Sequence, residues 1–265
     1  MKENTKLFQS TIKRRGYNLA TNIYLLGSGI LGSLHLTEET KQALQISKHI
    51  FVLNPDTSLI EDFKETYSSA QVHDMAYLYK DELYRQDVYK KISELIIETA
   101  KDNGPVSFIV HGHPLFLVSA SEYTIDLAKE NNLSVKILPG ISSFDTLMCD
   151  LKIDYGYALQ FFDSTTLINH NWSLNTEVPL LIFQLSTTNN KEIMLGEING
   201  SALSPLKEHL IKFYPEEHEA YIIHSATQIL EISDIRKIKI QDITSKEILL
   251  NNRPTLYIPP IDKGL

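Results

Sequence analysis

The sequence predicts an α/β protein of two domains, a mostly parallel sheet followed by a mixed one. Three observations point there. Short apolar runs alternate with helical periods through the first ~150 residues, the pattern of a parallel sheet with crossover helices. Two loops, His111-Gly112-His113-Pro114 and Pro139-Gly140-Ile141-Ser142-Ser143, each follow such a run, about 25 residues apart. After Ile153 the alternation gives way to runs with more antiparallel character.

Taken in order, residues 1–20 form a polar arm that lacks the apolar core of a signal peptide. Residues 23–26 are a buried strand that ends at Gly27. Thr37 suits the cap of a helix whose first turn carries Glu38 and Glu39. A hydroxyl there accepts from free backbone N–H groups, and acids favour the positive end of the helix. That helix ends near Ser47. Residues 49–53 are a strand, 56–67 a helix and 71–73 a short strand. A long amphipathic helix is expected over 81–100, a strand over 106–110, a helix over 119–129, a strand over 135–138 and a helix over 143–150. Beyond the boundary at 153–157, residues 158–163, 179–185, 219–224 and 255–258 read as strands. Residues 189–198, 202–213 and 240–247 read as helices. The division is an arm at 1–20 and domains at 21–154 and 155–265.

The 265 residues suffice for two ordinary cores, and the 43% hydrophobic share fits a packed protein. With 25 basic and 33 acidic residues the chain carries −8, which argues against general nucleic-acid binding. Cys149 is the only cysteine, so no intramolecular disulfide forms and a reducing cytoplasm is the expected compartment. No apolar run approaches the roughly 18 residues of a membrane span, so no membrane partner is expected.

Gly27-Ser28-Gly29-Ile30-Leu31-Gly32 matches the dinucleotide pattern G-x-G-x-x-G, and Asp56 follows 24 residues later. That pattern needs a helix to begin at the glycines, so that its N-terminus faces a pyrophosphate. Here residues 33–36 intervene before Thr37. The loop therefore reads as close backbone approach to some ligand, or as a tight turn without one. His111 and His113 have no Cys, His or carboxylate partners at metal-ligand spacing, so no metal is expected. Asp145, Asp150 and Asp154 read as caps and surface acids.

Together, Gly27-Ser28-Gly29, Leu36-Thr37, Gly112-His113-Pro114-Leu115-Phe116 and Pro139-Gly140-Ile141-Ser142-Ser143 resemble the tetrapyrrole (corrin/porphyrin) methylase family in order and spacing, over residues 22–260. Within it the chain looks most similar to the borosin peptide α-N-methyltransferases. The features are Gly112-His113-Pro114, Asp145 after Ser143-Phe144, the pair Asp150 and Asp154, Phe162-Asp163-Ser164-Thr165, Gln184 after a Leu-Leu-Ile-Phe strand, and the run from Pro254 to Pro260. That group also has a tyrosine–arginine–tyrosine set, here Tyr79, Arg85 and Tyr89. The resemblance implies a two-domain fold with a cofactor cleft between the domains, and a homodimer. It implies S-adenosylmethionine held by Gly27, Gly29, His113, Pro114, Phe116, Ser142, Ser143, Gln184 and Thr255. It places Tyr79, Arg85, Tyr89 and His111 at the chemistry. Since Leu265 follows Pro260 closely, it implies a split type acting on a separate precursor peptide. Departures are His111 where relatives have tyrosine, Asp163 in place of glutamate, and Ala76 where a tyrosine is expected beside Tyr77.

A backbone amide nitrogen is a poor nucleophile unless it loses its proton or its carbonyl is polarised. Tyr79 could take the proton if its pKa fell, and Arg85 beside it would favour tyrosinate and offset imidate charge. Arg85 and Tyr89 share a helix face at i, i+4 spacing; the bland alternative is a solvated, tyrosine-rich helix start. His111 relays protons near neutral pH or packs in the core. Ser142 and Ser143 cap a helix, bind the cofactor, or both. Two other functions stand beside peptide methylation. One is methylation of a tetrapyrrole or other small molecule. The other is an inactive cofactor- or precursor-binding partner, to which His111 and Ala76 point.

Overall fold

The computed structural model describes residues 21–80, 83–251 and 253–261. The polar arm at 1–20 and the expected start of the long helix at Asp81 lie outside the described residues.

Five parallel strands build the first sheet: β1 (Ile23–Gly27), β2 (His49–Leu53), β3 (Gln71–Asp74), β4 (Val106–Val110) and β5 (Val135–Leu138). Their order is β3-β2-β4-β1-β5. β1 and β4 are buried along their whole length, as central strands of a sheet covered on both faces must be. Successive residues of β1 serve opposite faces. Tyr24 and Leu26 join a core with α1 (Glu38–Ile46) and α2 (Ser58–Thr66). Ile23 and Leu25 join a second core with α3 (Arg85–Asn103) and α4 (Ser119–Glu130). Neighbouring β1 and β4 therefore send their following helices to opposite faces, which opens a crevice at the carboxyl edge between them.

Thr37 caps α1 as expected, its hydroxyl accepting from the Thr40 N–H at 3.1 Å. A 3-10 turn over Gly32–His35 separates the glycine loop from that helix, so the glycines do not open a helix.

The second sheet holds β6 (Gln160–Asp163), β7 (Leu180–Phe183), β8 (Glu219–His224), β9 (Asp234–Lys239) and β10 (Thr255–Ile258), in the order β6-β7-β10-β8-β9. Only β6 and β7 run parallel. One face packs α5 (Ser143–Leu151), through Leu147 against Leu181, Phe183, Ile223 and Tyr257. The other packs α6 (Ser164–His170) and α7 (Ser204–Leu210) on Leu180, Ile182 and Leu256. Helix α5 precedes the expected boundary yet rests on the second sheet.

Two expected helices fail in this half, and two elements appear that were not expected. Residues 189–198 are not a helix. Glu192 pairs instead with Tyr84, and the Ile193 N–H donates to the Leu83 carbonyl at 2.8 Å, so the segment becomes a strap across to the first sheet's side. The same pairing holds Tyr84 extended, which is why α3 starts at Arg85. Residues 240–247 form only a 3-10 turn, Ile240–Asp242. Their backbone instead approaches Gly200 so closely that a Cβ there would lie 2.3 Å from the Ser245 carbonyl oxygen. β9 and α6 carry no clear sequence signal; β9 is an exposed edge strand with charged side chains, which lacks the apolar alternation of a half-buried strand.

Candidate functional site

The crevice between β1 and β4 is sealed by backbone. A Cβ on Gly27 would sit 2.3 Å from the Gly112 carbonyl oxygen and 2.9 Å from the Gly140 Cα. Gly29 and Gly112 exchange backbone hydrogen bonds at 3.0 and 3.2 Å, both with left-handed φ. His35 fastens the same loop, its Nδ1 accepting from the Ile30 and Leu31 N–H groups at 3.2 Å. The three loops after β1, β4 and β5 thus lock together through glycine, and the open space lies above them.

That space is a cleft of two adjoining cavities, about 320 and 700 Å³. The smaller is walled by Tyr79, Arg85, Tyr89, Ile193 and Met194. The larger is walled by Gly112, His113, Phe116, Ser143, Thr146, Ile223, Glu231 and Thr255. Asn54, Pro55, His111, Leu117, Val118, Gln184, Asn251 and Arg253 line both, and so form the junction. Of the residues expected around a ligand, the structure brings His113, Phe116, Ser143, Gln184 and Thr255 to the larger cavity. Gly27, Gly29, Pro114 and Ser142 do not line either cavity. Gly27 and Gly29 shape the floor from behind, and Ser142 forms a capping box with Asp145, donating its N–H to Oδ2 at 2.6 Å.

The tyrosine–arginine set is assembled, with the Tyr79 and Tyr89 ring centroids 6.3 Å apart. Its electrostatics differ from the expectation. Burial pushes the Tyr79 phenol well above its ordinary value, the neighbouring Tyr89 adds to this, and the charges of Arg253 and Arg85 offset only part. Tyr89 is raised too, chiefly by burial. Tyr79 is therefore a stable phenol beside the Tyr89 ring. Arg85 is already engaged: its guanidinium donates to the carbonyl of Glu192 at 2.8 Å and to that of Asn190, anchoring the strap.

His111 extends from the end of β4 into the junction. Burial, aided by the Arg253 charge, lowers its imidazole to about 4 against an opposing pull from Asp56. It stays neutral near pH 7 and does not titrate there. His113 turns inward, its Nδ1 accepting from the Leu115 N–H at 3.1 Å. Asp163 caps α6, accepting from Thr166 N–H at 2.7 Å, and Asp150 accepts from Ser225 and Ser233 at 2.5 and 2.7 Å. These acids serve structure. Among the described residues, no three His, Cys, Asp or Glu group to hold a metal.

Sequence reasoning missed Arg253, Leu117, Asn54 and Asn251. Leu117, Gln184 and Arg253 all hold left-handed backbone, with φ of 60, 59 and 51. For non-glycine residues this costs on the order of 1–3 kcal/mol and clusters at functional sites. A signal for Arg253 existed. β10 runs antiparallel to β7, so the residues before β10 reach the same edge as Gln184 after β7.

The sequence profile of the tetrapyrrole (corrin/porphyrin) methylases matches residues 22–232. A methyltransferase/ribosomally synthesized type II borosin cyclic peptide precursor of Phlebiopsis gigantea is 28% identical over 249 residues, 91% of this chain and 43% of the relative. A type I counterpart from Gymnopilus junonius is 26% identical over 248 residues, 92% of this chain and 58% of the relative. The chain thus spans about half the length of the curated relatives it matches. A solved uroporphyrin-III C-methyltransferase of Thermus thermophilus, complexed with S-adenyl homocysteine, has the same fold, with a TM-score of 0.59 at 10% identity over 89% of this chain and 91% of that one.

Proposed function

We propose that this chain, which belongs to the tetrapyrrole (corrin/porphyrin) methylase family, transfers methyl groups from S-adenosylmethionine to backbone amide nitrogens of a precursor peptide, supplied as a separate molecule. The observation that carries this reading is the pair of adjoining cavities sharing His111, Gln184 and Arg253. A two-substrate displacement needs two compartments meeting where the reacting atoms align. The relatives whose names join a methyltransferase to a peptide precursor support the peptide as acceptor. The proposed domains, 21–154 and 155–265, flank the cleft.

The larger cavity fits the cofactor. Its volume of about 700 Å³ falls within the roughly 300–1,000 Å³ of small-molecule pockets. Phe116, Phe183 and Ile223 offer apolar surface, while Ser143, Thr146 and Thr255 offer hydroxyls and Glu231 a carboxylate. When bound, the cofactor supplies a methyl group already activated on a cationic sulfur. The chain's own residues then orient the acceptor, exclude water and manage one proton. Tyr89, whose phenol burial keeps protonated, donates a hydrogen bond to the acceptor carbonyl. Neutral His111 accepts the proton that the amide nitrogen sheds as its new bond to carbon forms.

The test is to incubate the full chain with S-adenosylmethionine and the peptide encoded beside it, and to map added mass by tandem mass spectrometry. Stepwise single-methyl increments on backbone nitrogens are expected. Cofactor binding by calorimetry with no methyl on the peptide sinks the peptide reading.

A further inference from the structure

We propose that Arg253, rather than Arg85, grips the carbonyl oxygen of the amide to be methylated, with its guanidinium at the junction of the two cavities. The inference rests on the reading of the cleft as a peptide N-methyltransferase site.

Arg253 lines both cavities, beside His111 and Gln184, where a methyl donor in one compartment meets an acceptor in the other. Its backbone holds it there. The Arg253 N–H donates to the Leu250 carbonyl at 3.2 Å, and buried Pro254 and Thr255 follow at once. Its φ of 51 is left-handed although it is neither glycine nor asparagine.

Among the described residues Arg253 makes no side-chain hydrogen bond and no ion pair. The other two described arginines are committed: Arg236 pairs with Glu247 at 3.4 Å, and Arg85 clamps the Asn190 and Glu192 carbonyls. Arg253 is thus the cation at this junction with all five donors open.

As the acceptor nitrogen attacks the methyl carbon, the nitrogen–carbon bond forms, and the electron pair of the breaking sulfur–carbon bond stays on sulfur. The N–H proton passes to His111. Until the new bond is complete, negative charge gathers on the amide oxygen. A guanidinium facing that oxygen in a partly desolvated cleft stabilises this charge more than it stabilises the neutral ground state. The Arg253 charge already acts on this spot, being felt by Tyr79, Tyr89 and His111 alike.

Arg253→Gln and Arg253→Lys in the full chain test the assignment. Three quantities are read: the single-turnover methylation rate with the peptide encoded beside the chain, the Kd for S-adenosylhomocysteine, and the Kd for that peptide with S-adenosylhomocysteine present. Arg253→Gln is expected to slow transfer about 100-fold, to weaken the peptide several-fold and to leave S-adenosylhomocysteine affinity within twofold. Arg253→Lys should recover part of the rate. An unchanged rate, or a loss of S-adenosylhomocysteine affinity that matches the loss of rate, overturns the assignment. A wild-type chain that binds the peptide but transfers nothing sinks the methyl-transfer reading alone. The ratio of peptide Kd values between wild type and Arg253→Gln then decides the contact, and equal values overturn it. A wild-type chain that binds no peptide overturns both.

Discussion

Tyr79 and Tyr89 stand side by side in the smaller cavity, and burial keeps both phenols protonated. The expectation that Arg85 would draw Tyr79 toward tyrosinate fails because desolvation outweighs the guanidinium charge, and because Arg85 spends its donors on the strap. Tyr79 instead stands beside Tyr89 as a neutral phenol, the more deeply raised of the two. The two tyrosines are therefore unequal. Tyr89→Phe removes the donor proposed for the acceptor carbonyl and should slow methyl transfer about 100-fold, whereas Tyr79→Phe should slow it only about 10-fold. Single-turnover rates check this; a Tyr79→Phe variant slower than Tyr89→Phe would return Tyr79 to the role of base. His111 follows the same logic. Its residue type suggests titration near neutral pH, but burial holds it near 4, leaving a neutral acceptor at the junction.

The elements of the first half are largely legible in the sequence, since each is bounded by local signals. The Thr37 cap, the strand ends at Gly27 and Leu53, and the Ser142–Asp145 capping box fall where residue type places them. What the glycines do is not legible. Gly27 reads as backbone yielding space to a ligand, yet it yields space to Gly112 and Gly140. Gly27→Ala should therefore destabilise the fold by about 1–3 kcal/mol, because the clash is with backbone that cannot swing away. Thermal unfolding measures this, together with weaker S-adenosylhomocysteine binding as the loops part. An alanine variant with unchanged melting and tighter ligand binding would contradict the locking role. The strap at 189–198 escapes sequence reading for a related reason: its partners, Leu83 to Arg85, lie about 100 residues away.

At the scale of the molecule, the loop between β8 and β9 exposes Ile229, Leu230 and Ile232, the last two each 94% accessible. Exposed apolar clusters mark interaction surfaces, and a second copy of this chain is the partner expected from the family resemblance. Wild type should sediment as a dimer at micromolar concentration, and a Leu230→Asp, Ile232→Asp variant as a monomer. A monomeric wild type would end that idea. The loop also contributes Glu231 and Ile232 to the larger cavity, so dimerisation would stiffen one of its walls.

By itself the sequence determined the alternation of strands and helices, the two strand-end loops, the tyrosine–arginine set and the family they resemble. These are set by local periodicity, caps and motif spacing, which short stretches of chain carry alone. Only the tertiary structure decided which charges act at the junction. The antiparallel register of β10 against β7 carries Arg253 to the edge where Gln184 ends its strand, opposite His111 at the end of β4. The pairing of Glu192 with Tyr84 draws Arg85 into the strap and leaves Arg253 open. Protonation at the site follows from burial by residues distant in sequence, and neither spacing nor residue type records how deeply a side chain will be covered.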